Sequence, residues 1–132
     1  MKNILSKIFK FSNVTLPLPV KIAFKEKFGE SLNVEWIQTD DFYEAIFYME
    51  EIEHIGRFDS TGKILNLKKN LSIQFTPLHI KEKAAKHGEL MNVIEICEDE
   101  IVGYELIVRD ETLIRFSLLL NEKGGLIHKT KL

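Results

Sequence analysis

The sequence predicts an α+β fold: a tandem repeat of one helix plus a four-stranded antiparallel meander, giving an eight-stranded antiparallel sheet with helices on one face. Three observations carry this. First, the chain runs through the same order of features twice. Pro17-Leu18-Pro19-Val20-Lys21 and Pro77-Leu78-His79-Ile80-Lys81 each open a short helical stretch. Gly29-Glu30 and Gly88-Glu89 close those stretches, and Asn33-Val34 and Asn92-Val93 follow. Tyr43-Glu44-Ala45-Ile46-Phe47 then corresponds to Tyr104-Glu105-Leu106-Ile107-Val108, and Phe58-Asp59-Ser60-Thr61-Gly62-Lys63 to Leu120-Asn121-Glu122-Lys123-Gly124-Gly125. Self-similarity on this scale is a signature of architecture. Second, apolar residues alternate with period two in several runs, as half-buried strands require. Third, the links between those runs are a few residues long, so they join antiparallel neighbours.

The expected elements follow in order. A helix is expected near Pro19 to Phe28, because proline suits a first helical turn where its missing N–H would be unpaired anyway. Val20, Ala23, Phe24 and Phe28 share one face, and Gly29 is a natural stop. Strands are expected near Val34–Thr39, Phe42–Met49, Ile52–Asp59 and Lys63–Lys69, separated by Asp40-Asp41, Glu50-Glu51 and Ser60-Thr61-Gly62. In the second unit Thr76 is expected to cap a helix with Pro77 at its first position, ending at Gly88. Four more strands are expected near Met91–Glu98, Ile101–Arg109, Thr112–Leu120 and Gly125–Lys131. The whole chain, 1–132, reads as one domain, with repeat units at about 17–70 and 76–132. Residues 1–16 form an N-terminal segment in which Ile4, Leu5, Ile8 and Phe11 fall at the spacing of an amphipathic helix. The link from Asn70 to Phe75 has no Gly or Ser run, so the units are expected to be fixed together.

Composition excludes several classes. With 45% hydrophobic and 29% charged residues the chain is too apolar for disorder. A net charge of −2, spread evenly along the chain, argues against nucleic acid, which calls for a basic stripe. One cysteine, Cys97, allows no internal disulfide and reads as a small strand residue. No run approaches the roughly 20 apolar residues of a membrane helix. Lys7 and Lys10 interrupt the apolar start, so no signal peptide is expected and the sequence alone points to the cytoplasm.

Chemistry finds little to stand on. His54, His79, His87 and His128 lack the spacing of a metal site, and no metal or cofactor is expected. The carboxylates cluster at hairpin tips, at Asp40-Asp41, Glu50-Glu51-Glu53, Glu98-Asp99-Glu100 and Asp110-Glu111, where they are solvated and discourage edge pairing. There is no nucleophile elbow and no glycine-rich phosphate loop; Gly124-Gly125 belongs to a hairpin turn. The chain is therefore not expected to be an enzyme.

Four motifs carry a family likeness. Leu18-Pro19-Val20-Lys21-Ile22-Ala23-Phe24 with Lys27-Phe28, then Val34-Glu35-Trp36, Tyr43-Glu44-Ala45-Ile46-Phe47 and Phe58-Asp59-Ser60-Thr61-Gly62-Lys63, resemble the PepSY-like family, also described as β-lactamase-inhibitor-protein-like (BLIP-like). The likeness spans about residues 17 to 132 and is sharper in the first unit. It implies a mostly bacterial, tandem helix-plus-antiparallel-sheet fold without catalytic residues. The related inhibitor fold binds a protein across its sheet surface, PepSY domains are proposed to restrain peptidases, and many relatives are periplasmic. The absence of a clear signal peptide departs from that pattern.

The candidate binding site follows from alternation. If Tyr43, Ala45 and Phe47 point to the helices, Phe42, Glu44, Ile46 and Tyr48 point away, with Ile37 beside them and Ile107 in the second unit. An apolar cluster on a sheet face without helices suggests docking. The expected function is a non-enzymatic binding module, protein-binding or inhibitor-like, with Ile37, Phe42, Ile46 and Tyr48 as anchors and Glu44 setting orientation. Its partner is an unknown protein or a second copy of the chain. Two alternatives are a small-ligand carrier for lipid or cell-wall fragments, with a pocket lined by Trp36, Tyr43 and Phe47, and a structural homodimer joined through its sheet faces.

Overall fold

The structure is a computed structural model that describes residues 14–30 and 33–132. The expected amphipathic helix around Ile4, Leu5, Ile8 and Phe11 lies outside the described residues. Helix α1 is Leu18–Phe28, followed by β1 (Glu35–Thr39), β2 (Phe42–Met49), β3 (Ile52–Asp59) and β4 (Ile64–Leu71). A 3-10 turn, Ile73–Phe75, precedes α2 (Leu78–Ala85), β5 (Glu89–Glu98), β6 (Ile101–Arg109), β7 (Arg115–Asn121) and β8 (Leu126–Lys131). The eight strands form one antiparallel sheet in sequence order, β1 to β8. The chain divides into two compact units, one ending at Leu67 and one beginning at Lys68.

In the first unit, α1 lays Val20 and Phe24 on Ala45, Phe47 and Phe58. Phe24 is the hub: its ring lies 5.0 Å from Phe47 and 5.3 Å from Trp36, both edge-on, and 5.1 Å from Phe28. Edge-to-face pairs at this distance add about 0.5–1.5 kcal/mol beyond the area they bury. His54 closes this side, stacked on Phe47 with Nδ1 2.8 Å from the Ile52 carbonyl. In the second unit, Ile80 and Ala84 of α2 meet Val93, Tyr104, Leu106, Val108, Leu118 and Leu120. The helix contributes little here, and the strands supply most of the apolar volume. Burial raises the Tyr104 pKa, with Glu95 and then Glu122 adding to the effect.

Three hairpins share one device. Asp59 Oδ1 accepts from the backbone N–H of Thr61 (2.9 Å) and Lys63 (3.1 Å) and from the Thr61 hydroxyl (2.6 Å). Asp110 Oδ1 does the same with Thr112 and Ile114, and Asn121 Oδ1 accepts from the N–H groups of Lys123 and Gly125. In each loop the fourth residue takes a left-handed conformation, at Gly62 (φ 89°), Leu113 (φ 66°) and Gly124 (φ 92°). This is the three-residue hairpin loop that ends in a residue of positive φ. Asp110-x-Thr112 therefore matches Asp59-x-Thr61, a correspondence not visible in the pairing of the two halves by sequence.

Two sequence expectations are corrected. Thr76 does not cap α2: its hydroxyl donates to the Ser72 carbonyl at 3.0 Å and the side chain is buried, while Pro77 holds the cap position without a side-chain bond. The strand expected from Thr112 starts at Arg115, because Asp110 to Ile114 form the loop.

Candidate binding face

Register decides which side chains share a face, since residues directly opposite on paired strands point the same way. Trp36 pairs with Ala45 and Gly56, Gln38 with Tyr43 and Phe58, and Phe47 with His54; these face α1. The other parity faces away from it. There Ile37, Glu44 and Arg57 form one row, Glu35, Ile46 and Ile55 a second, Tyr48 and Glu53 a third, and Thr39, Phe42 and Asp59 a fourth.

All five proposed binding residues thus lie on the same side of β1 and β2, but their exposure differs. Tyr48 is 62% exposed and Phe42 36%, while Glu44 and Ile46 are half-buried. Ile37, on the edge strand β1, is 4% exposed. Two residues of this face escaped the sequence reading. Ile55 extends the apolar row, and Arg57 lies across it, with its guanidinium 5.4 Å over the Phe42 ring and Nη2 3.5 Å from Glu44 Oε2. The alternation Ile55-x-Arg57 was the available signal.

The face is acidic at one end. Tyr48 OH donates to Glu53 Oε2 at 3.3 Å. The Glu53 charge, slight burial, that hydrogen bond and the Glu35 charge together raise the Tyr48 pKa. In the second unit the corresponding side carries Ile94, Ile96, Ile107 and Leu119, all half-buried, with Glu105 and His128 among them.

The pocket expected between Trp36, Tyr43 and Phe47 is filled. Phe47 is fully buried and Phe24 packs edge-on against it. What exists instead is an open groove of about 430 Å³ beside α1, lined by Leu16, Phe24, Val34 and Trp36 with Lys21 and Lys25 at its rim. Lys25 is paired with Glu30 at 3.2 Å. Among the described residues, no group of three or more His, Cys, Asp or Glu side chains could hold a metal ion. No described helix is long and apolar enough to cross a membrane.

Solved structures share this fold. A DUF2874 family protein from Bacteroides ovatus superposes with a TM-score of 0.80 at 19% identity, covering 90% of this chain and 89% of its own. A BLIP-like protein from Bacteroides fragilis superposes with a TM-score of 0.77 at 17% identity, covering 90% and 88%. This is a BLIP-like fold. A second DUF2874 family protein, from Bacteroides uniformis, gives a TM-score of 0.79 at 18% identity over 89% and 90% of the two chains. The BLIP-like half of the sequence resemblance thus holds at the level of fold, and none of these neighbours singles out PepSY. No protein-family profile and no curated protein sequence matches the chain.

Proposed function

We propose that the protein is a non-enzymatic binding module that takes a protein partner on the α1-distal face of its first unit. The observation that carries this is the row structure of that face: Phe42, Ile46, Ile55 and Tyr48 converge on a sheet surface that α1 leaves uncovered, and two of them are exposed aromatics. Large aromatics beside an arginine are the side chains that most often anchor protein interfaces. Arg57 and the flanking Glu44, Glu35 and Glu53 supply the polar surround that sets orientation. The BLIP-like neighbour supports a surface-binding role.

The test compares wild type with Ile46→Glu. A protein captured by the wild type is purified and its affinity measured against both. A loss of tenfold or more, about 1.4 kcal/mol, with an unchanged circular dichroism spectrum places the partner on this face. Equal affinities would refute the reading.

A further inference from the structure

Strand β8 pairs with β7, and among the described residues no strand pairs with its other side. Every residue of β8 is exposed. The ladder shows which of its backbone groups are free. The Leu132 N–H donates to the Arg115 carbonyl at 2.9 Å, and bonded and non-bonded pairs alternate along an antiparallel ladder. With Lys131 opposite Phe116, Thr130 and His128 therefore bond inward to β7, while Lys129 and Lys131 turn their N–H and C=O groups outward.

The same two residues carry charge. Lys129 and Lys131 lie opposite Leu118 and Phe116, so they share the side of the sheet that packs on α2. Lys129 Nζ stands 4.5 Å over the Phe116 ring and 3.3 Å from His87 Nδ1. Burial, then Lys129 and Lys86, lower the His87 pKa, so both cations act on one spot. Lys83 of α2 lies over the turn before β8, its Cγ 2.9 Å from where a Cβ on Gly124 would stand. Among the described residues no carboxylate forms an ion pair with Lys83, Lys86, Lys129 or Lys131. Asp110 is within reach of the Lys129 field, but its Oδ1 is committed to Thr112 and Ile114 of its own loop.

We propose that the outer edge of β8 takes an extended acidic segment of another protein as an added antiparallel strand, with carboxylates at alternate positions opposite Lys129 and Lys131. Strand addition draws affinity from main-chain bonds and selectivity from alternate side chains. The residue facing each lysine would form a hydrogen-bonded pair with it, Cα atoms about 5.5 Å apart, with both side chains on one side. Acidic residues two positions apart therefore meet both lysines. A second copy's β8 fits poorly, because it brings lysines against lysines. Edge lysines often serve only to keep other edges away; here the positive charge continues onto α2, beyond what edge protection requires. The site lies in the second unit and does not rest on the binding reading above.

The probe is a fluorescent peptide, Thr-Glu-Val-Glu-Val-Glu-Thr, titrated into the full chain at low salt beside a glutamine version and one N-methylated on its glutamates. Saturable binding is expected, with movement of the Lys129 and Lys131 amide resonances and weakening as salt rises. The N-methylated peptide, which cannot donate to the edge, should not bind. Lys129→Gln/Lys131→Gln removes two exposed ion pairs and should weaken binding about threefold or more, while the Val93 and Leu118 methyl resonances stay in place. No binding, or equal affinity for the glutamine or N-methylated peptide, would overturn the proposal. So would resonance shifts at β1 in place of β8, or pairing of β8 between copies without peptide.

Discussion

Gly62 is the position where one added methyl group should do the most damage for its size. Its loop lies under the first turn of α1, and a Cβ built there would stand 2.5 Å from the Pro19 carbonyl oxygen and 2.9 Å from its carbon. Pro19 is held by its ring and by the start of the helix, so it cannot easily yield. Positive φ is not the main difficulty. Leu113 occupies the same position of an equivalent loop at φ 66°, where its side chain is 70% exposed. An alanine in the left-handed region costs about 1–2 kcal/mol. Forcing a carbon into packed backbone costs about 1–3 kcal/mol more, and reduced freedom of the unfolded chain returns about 0.4–1 kcal/mol. The net for Gly62→Ala is a loss of about 2–4 kcal/mol. Gly124→Ala is the control: Gly124 holds the same loop position at φ 92°, and the atoms nearest a Cβ there belong to the exposed, flexible Lys83 side chain rather than to backbone, so it carries mainly the strain, about 1 kcal/mol after the same offset. Urea denaturation followed by circular dichroism separates the two. With a slope of about 1–3 kcal/mol/M, Gly62→Ala should lower the midpoint by about 1 M or more, clearly beyond the shift of Gly124→Ala. Equal shifts for the two variants would refute the close-approach argument and leave positive φ as the whole cause.

Other outcomes follow from the same structure. Phe47→Ala removes the ring on which Phe24, Phe28 and His54 pack and should cost about 3–5 kcal/mol, read as a lower urea midpoint. The Thr61 hydroxyl and N–H and the Lys63 N–H hold the Asp59 carboxylate below its ordinary pKa, and Thr112 and Ile114 do the same for Asp110. Both groups therefore stabilise the fold above the unfolded value of 3.8 and lose that contribution as pH falls through their depressed folded values. Asp59→Asn, which keeps the accepting oxygen that Asn121 already uses, should preserve the loop at neutral pH and flatten part of the acid-unfolding curve. Burial lowers the His87 pKa, helped by Lys129, whose Nζ lies 3.3 Å from Nδ1, and by Lys86. Stability should therefore fall as pH drops below about 6.5 towards that depressed value, and His87→Gln should remove this share of the decline.

Most of the fold was legible because alternation and turn chemistry are local. The Tyr43, Ala45, Phe47 parity, the strand limits of β2, β3 and β6, and the stop at Gly29 all followed from neighbouring residues. The same parity placed Phe42, Glu44, Ile46 and Tyr48 on the side away from α1. The Thr76 cap and the start of β7 were misjudged because side-chain hydrogen bonding settled both. Thr76 found Ser72 behind it, and Asp110 captured Thr112 and Ile114 before the strand could begin.

The sequence by itself determined the order of elements and the two faces of each strand, because those depend on period, charge and turn residues a few positions apart. Only the tertiary structure decided how far each outward residue is exposed. Ile37 and Tyr48 share a face and a period, yet one is covered and the other is open. Exposure depends on what packs across the sheet from distant parts of the chain, and no local pattern records that. The filling of the expected Trp36, Tyr43 and Phe47 pocket has the same origin. Phe24 comes from a separate helix, and its ring takes the space that alternation alone had left empty.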